Sequence, residues 1–331
     1  MQWKIARPGR IADAFNRWAI RRGFPALAWL APRAPRWFLF ANARWIIGLV
    51  MTLHGAPKRA IARNLARILD APPASRRVRR AVRSMILHFA WYWVDLFRFA
   101  QLPPDRLRAL VVDGDREKLA AIVRARERYG KLILVTAHLG NWELGGVLAG
   151  QVGLPMAVVY VKDAFEEAER FRSYLRSFGD VVEIPIRPDE RFASLPVLRA
   201  LEEGRIVAVQ GDRDWNDRGV PMPFLGAMAR FPVGPFLLAR MSGATLLPAF
   251  VAYDREHRFE LEIGDPIEVA RTADREGDAR AALEAWLVVL ARAVRRWPNQ
   301  WYTFYDFWPD VEEASPAAGA APDPEPAGSA G

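Results

Sequence analysis

The chain has 331 residues, 51% of them apolar, enough to fill one large α/β domain or two smaller ones. It has no cysteine, which excludes disulfides and thiolate-held metals, and its four histidines (His54, His88, His138, His257) include no pair at H-x-x-x-H spacing, which excludes a zinc-protease site. The net charge of +9 is uneven: residues 1–100 carry 19 Lys+Arg against 3 Asp+Glu, and the remainder carries 28 against 35.

Residues 1–112 are predicted to be mostly helical. The first 22 are basic and amphipathic, with neither the apolar stretch nor the small-residue cleavage site of a signal peptide. Seven of the 13 tryptophans fall in the first 100 residues: Trp3, Trp18, Trp29, Trp37, Trp45, Trp91 and Trp93. Arginine interleaved with indole suits an anionic membrane surface, since indole prefers the interface and guanidinium meets lipid phosphate. Solvated helix faces and nucleic-acid binders share that composition, and the membrane reading is adopted, with no nucleic-acid partner expected. The best spanning candidate, Trp37 to Leu53, is interrupted by Asn42 and Arg44 and falls short of about 20 apolar residues. It is read as a helix lying on or shallowly in a membrane, with a buried core helix as the alternative. Between 76 and 89 the period is clear: Val78, Val82, Met85, Ile86 and Phe89 share one face, and Arg76, Arg80 and Arg83 another. The run Arg76 to Arg80 reads as a solvated face, or as a dock for lipid headgroups or an acidic carrier protein.

Residues 113–313 read as an α/β core. Strands are predicted at 131–136, 156–161, 181–186, 205–210, 244–253 and 259–263. Helices are predicted at 141–151, 164–178, 190–203, 233–242 and 275–296, with a long loop from Gly211 to Phe231. Continuous apolar strands separated by helices predict a mostly parallel central sheet flanked by helices, to which the membrane-associating N-terminal helical region is added. In such sheets ligands bind at the carboxyl ends of strands, where His138 and Asp212 fall. Residues 314–331, rich in Ala, Pro and Gly, are predicted to be a disordered tail.

Three segments carry chemistry. The first is Thr136-Ala-His138-Leu-Gly-Asn-Trp-Glu143, directly after the apolar run Lys131-Leu-Ile-Leu-Val135. Neutral imidazole takes a proton from a hydroxyl, and a carboxylate on its other nitrogen fixes the tautomer and steadies the imidazolium. Glu143 is placed for that role, and amides at Gly140 and Asn141 for an oxyanion, each donor worth roughly 3 kcal/mol. A helix-capping histidine with Glu143 favouring the helix dipole is the bland reading. The second is Gly211-Asp-Arg-Asp214, where Asp212 competes with Glu143 to orient His138, and Arg213 can meet a phosphate; an internal Asp–Arg clamp is the alternative. The third, Val220 to Pro235, is apolar with four prolines and suits the wall of an acyl pocket, with Arg230 just before a helix start.

His-Leu-Gly-Asn-Trp-Glu resembles block one of the bacterial lysophospholipid acyltransferase-like superfamily, and more narrowly the lipid A late acyltransferases (lauroyl and myristoyl transferases), whose signature is an H-x4-D/E dyad after a strand. Gly211 to Asp214, Phe224-Leu-Gly226, Arg230-Phe-Pro232 and Leu238 to Pro248 follow in the family's order. Asn64-Leu-Ala-Arg67, His88 to Trp93 and Pro298-Asn-Gln-Trp-Tyr302 are similar to its terminal regions. The Gly-Asp-Arg-Asp form also resembles the phosphatidylinositol-mannoside acyltransferases. The resemblance implies an O-acyltransferase at the cytoplasmic face of an inner membrane. It would move a fatty acyl chain from acyl carrier protein or acyl-coenzyme A to a hydroxyl of a glycolipid, a lipid A precursor first. His138 would be the base and Glu143 or Asp212 its orienting acid. Gly140, Asn141, Arg187, Arg213, Asp214 and Arg230 would contact substrate. Neither metal nor cofactor is expected.

Overall fold

The computed structural model describes residues 22–53, 55–99, 102–112, 116–151, 153–161, 180–186, 194–214 and 218–308. The predicted helix at 164–178, Arg187 and the tail at 314–331 lie outside them. Helices come first: α1 (Phe24–Leu30), α2 (Arg36–Leu53), α3 (Gly55–Ile68), α4 (Arg76–Phe99), α5 (Pro104–Arg108) and α6 (Arg116–Tyr129). Then follow β1 (Leu132–Thr136), α7 (Trp142–Gln151), β2 (Met156–Val161), β3 (Val181–Ile186), α8 (Ser194–Glu202) and β4 (Ile206–Gln210). The order closes with β5 (Val220–Phe224), β6 (Ala227–Phe231), α9 (Gly234–Ser242), β7 (Thr245–Tyr253), β8 (Phe259–Ile263), α10 (Arg275–Arg296) and a 3-10 turn (Pro298–Gln300).

The main sheet has six strands in the order β3-β2-β4-β1-β7-β8, parallel except for β8, which returns antiparallel to β7. The apolar runs became strands because both faces are covered. Ile133, Val135, Val207 and Leu246 meet α8, α9 and α10 on one face. Leu132, Leu134, Ile206 and Leu247 meet α6 on the other. The N-terminal helices belong to the same body: Phe40 of α2 and Trp91, Val94 and Phe97 of α4 pack with Leu144, Leu148, Val251 and Tyr253. The apolar face read into α4 is the buried one, with Val78, Val82, Met85 and Ile86 inside.

The loop expected from Gly211 to Phe231 is corrected: it contains a hairpin, β5 antiparallel to β6. Its turn is Leu225-Gly226, with φ of +50° and +82°. Positive φ at both central residues suits the twist of a tight hairpin, but Leu rarely takes that conformation, so the usual Asn-Gly signal is missing. Pro221 and Pro223 are tolerated because every strand of a two-stranded ribbon is an edge, and alternate N–H groups point away from the partner. Met222, Phe224, Ala229 and Phe231 are buried in the main core, so the hairpin's inner face packs protein.

No described helix is long and apolar enough to cross a membrane. α1 and α2 nevertheless leave Trp29, Trp37 and Trp45 61%, 72% and 73% exposed, with Phe38 beside them.

Candidate active site

The register of two strands builds the site. β1 and β4 are parallel neighbours with Thr136 opposite Gln210, so residues two beyond each strand emerge side by side: His138 and Asp212. Gly211 keeps that alignment, donating its N–H to the Thr136 carbonyl at 3.0 Å. It also lies so close to Val135 and the Trp286 ring that an added Cβ would come within 3.0 and 3.2 Å of them.

Asp212 is fully buried. Its Oδ1 lies 2.8 Å from His138 Nδ1, while Oδ2 accepts the His138 backbone N–H at 3.0 Å and Trp301 Nε1–H at 2.9 Å. Burial alone would push this carboxyl up; the charge and hydrogen bond of His138, then Arg213 and Trp301, outweigh it and hold it at about 2. A carboxylate only accepts, so neutral His138 carries its proton on Nδ1 and its lone pair on Nε2. The His138 carbonyl accepts the Tyr302 N–H at 2.9 Å, so the residue is pinned on both sides of its Cα. Trp142 meets the imidazole edge-on at 5.3 Å and stacks on Tyr92 at 4.6 Å.

Between His138 and α7 the chain turns sharply. Gly140 sits at φ +63°, and a Cβ there would fall 2.0 Å from the Val251 carbonyl oxygen. Asn141 caps α7, its Oδ1 accepting the Leu144 N–H at 3.2 Å. The oxyanion role expected of the Gly140 and Asn141 amides is corrected. The Gly140 N–H donates to the Gln300 carbonyl at 2.8 Å and the Asn141 N–H to the Val251 carbonyl at 2.7 Å. Both donors are spent on holding the turn.

The structure distributes the remaining candidates as follows. Asp212, not Glu143, occupies Nδ1 of His138; Glu143 is buried in the first turn of α7, where a carboxylate favours the helix dipole. Arg213 is buried and donates to the Tyr302 carbonyl at 2.5 Å, with its guanidinium over the Tyr305 ring, so it faces the protein interior. Asp214 lies against Gly219, where a Cβ would come within 2.8 Å of its carboxylate. Arg230 is exposed on β6 and braces the hairpin by donating to the Gly219 carbonyl at 2.9 Å. Trp301 and Gln300 are contributors that residue chemistry alone did not single out; their signal is the aromatic-rich stretch after α10, too polar for a strand and too aromatic for a free loop. Among the described residues no group of His, Asp and Glu is arranged to hold a metal.

The pair thus has the parts to accept a proton from a hydroxyl at Nε2 and to stabilise the imidazolium that results. A sequence model described as "Bacterial lipid A biosynthesis acyltransferase" matches residues 13–309. A phosphatidylinositol mannoside acyltransferase of Mycobacterium tuberculosis is 28% identical over 288 residues, 86% of this chain and 87% of the relative. The protein of the same description from Mycolicibacterium smegmatis is 27% identical over 257 residues, 77% and 80% of the two chains.

Proposed function

The chain belongs to the bacterial lipid A biosynthesis acyltransferase family, and on that premise we propose that it moves a fatty acyl group from a thioester to a hydroxyl of a membrane glycolipid with His138 as general base. It is an enzyme that transfers acyl groups. The observation that carries the mechanism is the 2.8 Å contact between His138 Nδ1 and a carboxylate with no exposed surface.

In the proposed reaction Nε2 of His138 accepts the acceptor's hydroxyl proton as that oxygen attacks the thioester carbonyl carbon. The imidazolium forms against Asp212, which stays ionised. Collapse of the tetrahedral intermediate breaks the carbon–sulfur bond, and His138 returns its proton to the departing sulfur. An ester and a free thiol result, and the base is regenerated. The donor is acyl carrier protein or acyl-coenzyme A. For the acceptor, the family description points to a lipid A precursor, and the two relatives to a mannosylated phosphatidylinositol. The exposed rings of Trp29, Trp37, Phe38 and Trp45 suit seating on an anionic bilayer, on the cytoplasmic side of an inner membrane.

The test is acyl transfer by purified protein in detergent. Labelled acyl carrier protein and acyl-coenzyme A are each offered with a lipid A precursor and with a mannolipid, beside His138→Ala. Transfer to one acceptor that His138→Ala abolishes is the expected result and names donor and acceptor together. Transfer that survives His138→Ala would overturn the assignment of the base. No transfer with any combination would overturn this choice of substrates.

A further inference from the structure

α4 carries a buried carboxylate that the mechanism above does not use. Asp95 stands in the run Trp91-Tyr-Trp-Val-Asp-Leu-Phe97 and is fully buried. Arg36, the first residue of α2, grips it with two hydrogen bonds, Nε to Oδ1 at 2.9 Å and Nη2 to Oδ2 at 2.6 Å. The third arm of that guanidinium donates to the His257 carbonyl at 2.6 Å. A buried ion pair is weak evidence for stability, because apolar replacements often serve as well. It does fix the direction of every hydrogen bond attached to it.

That direction can be followed to the catalytic turn. Asp95 accepts the Tyr253 hydroxyl proton at 3.0 Å. Tyr253 has a single O–H, so its remaining lone pairs accept, and Asn141 Nδ2 donates to them at 3.4 Å. With its amide nitrogen so directed, Asn141 must present Oδ1 to the Leu144 N–H, which is the cap of α7. Only one orientation of the Asn141 amide satisfies both neighbours. The Tyr253 backbone is held as firmly, its N–H and C=O both bonded by the Gln300 side chain at 2.8 Å, and Gln300 in turn accepts the Gly140 N–H.

We propose that Asp95 and Tyr253 are positioning residues for the reaction. They form a charge-polarised relay from Arg36 that fixes Asn141, and through it the His138–Asn141 turn and the first turn of α7. The assignment rests on the acyl-transfer reading. Its far end lies in the helix that bears exposed Trp37 and Phe38, so the turn is tied to the aromatic surface by three side chains.

The experiment is a double-mutant cycle on kcat, with hydrogen exchange beside it. Tyr253→Phe keeps the ring that packs on Phe259, His88 and Trp91 and removes the relay's hydroxyl. Asn141→Ser keeps an oxygen able to cap a helix and removes the amide donor. Each is expected to lower kcat about three- to tenfold, the worth of one hydrogen bond, with the acceptor KM little changed. The double variant is expected to be no slower than the slower single variant. Amides of residues 138–145 should exchange faster in Tyr253→Phe while those of the distant β2–β3 pair keep their rates. Multiplying effects, a Tyr253→Phe kcat within twofold of wild type, or unchanged exchange at 138–145 would each overturn the relay. If Asn141→Ser does not fold, Asp95→Asn replaces it in the cycle. A wild type inactive with these substrates overturns that choice of substrates, and the exchange measurement still decides whether Tyr253 holds the turn.

Discussion

Replacing Asp212 by Asn tests the site with the least change of shape. Two N–H donors, the His138 backbone and Trp301 Nε1, point at Oδ2 at 3.0 and 2.9 Å, so the oxygen of the new amide must stay there. Its NH2 group then takes the place of Oδ1, 2.8 Å from His138 Nδ1. Two N–H groups cannot face each other at that distance. His138 therefore gives up the Nδ1 proton, becomes the Nε2–H tautomer and loses its lone pair toward substrate. Inversion of this kind costs about 10³–10⁴ in kcat, or about 4–5 kcal/mol of transition-state stabilisation. The fold should lose far less. An Asp carboxyl held at about 2 instead of 3.8 contributes on the order of 2 kcal/mol. Because its pKa is depressed, that contribution is present above pH 3.8 and is lost as pH falls toward 2. The assay is acyl transfer at saturating substrates, with ring-nitrogen NMR to read the tautomer and urea unfolding to confirm the fold. A variant retaining more than about a tenth of wild-type kcat would refute the tautomer argument. So would a Glu143→Gln variant losing more activity than Asp212→Asn, since it would make Glu143 the orienting acid.

Gly140→Ala places a methyl group 2.0 Å from the Val251 carbonyl oxygen, a backbone atom with little room to yield, and adds a left-handed Ala worth about 1 kcal/mol. Destabilisation above about 3 kcal/mol in urea, with loss of transfer, is expected; a variant as stable as wild type would mean that the turn is not held as described. His88 is pushed down from 6.5 to about 4, first by burial, so it is neutral in the folded chain over a range where the unfolded chain binds a proton. Stability is therefore full above pH 6.5 and falls by up to about 3 kcal/mol as pH drops to 4, and His88→Gln should flatten that slope; equal slopes in the two proteins would exclude His88 as the cause. Trp37→Ser combined with Trp45→Ser removes two exposed indoles without opening a cavity, so co-sedimentation with anionic vesicles should weaken while the melting temperature holds. Undiminished vesicle binding would mean that the membrane face lies elsewhere.

Much of the fold is legible in the sequence because strands such as β1 and β2 are nearly unbroken apolar runs, and six strands lie within a residue or so of where the pattern puts them. The hairpin at 220–231 is not, since prolines that forbid a central strand are harmless in a ribbon and Leu225 gives no hint of a positive φ. His138 is visible as a candidate from residue type and position. Its partner is not, because strand order is a long-range property: nothing local says that β4 lies against β1, so Glu143, nearer in sequence, comes first and Asp212 is only its competitor until the sheet is closed. The amides of Gly140 and Asn141 mislead for the same reason, as their acceptors, Gln300 and Val251, sit far along the chain. Asp95 leaves a trace that was available, a single acid inside an aromatic run of a buried helix, where a charge needs a reason.

His138 is held by residues far along the chain from it. Asp212 bonds the His138 ring, Trp301 bonds Asp212, and Tyr302 bonds the His138 carbonyl. During synthesis, which runs from the N-terminus, the helices and the first strands are made long before those two residues leave the ribosome. A chain that has not yet reached Trp301 therefore leaves Asp212 Oδ2 short of one of its two donors and the His138 carbonyl without the Tyr302 N–H, so the pair gains its full set of bonds only late in synthesis.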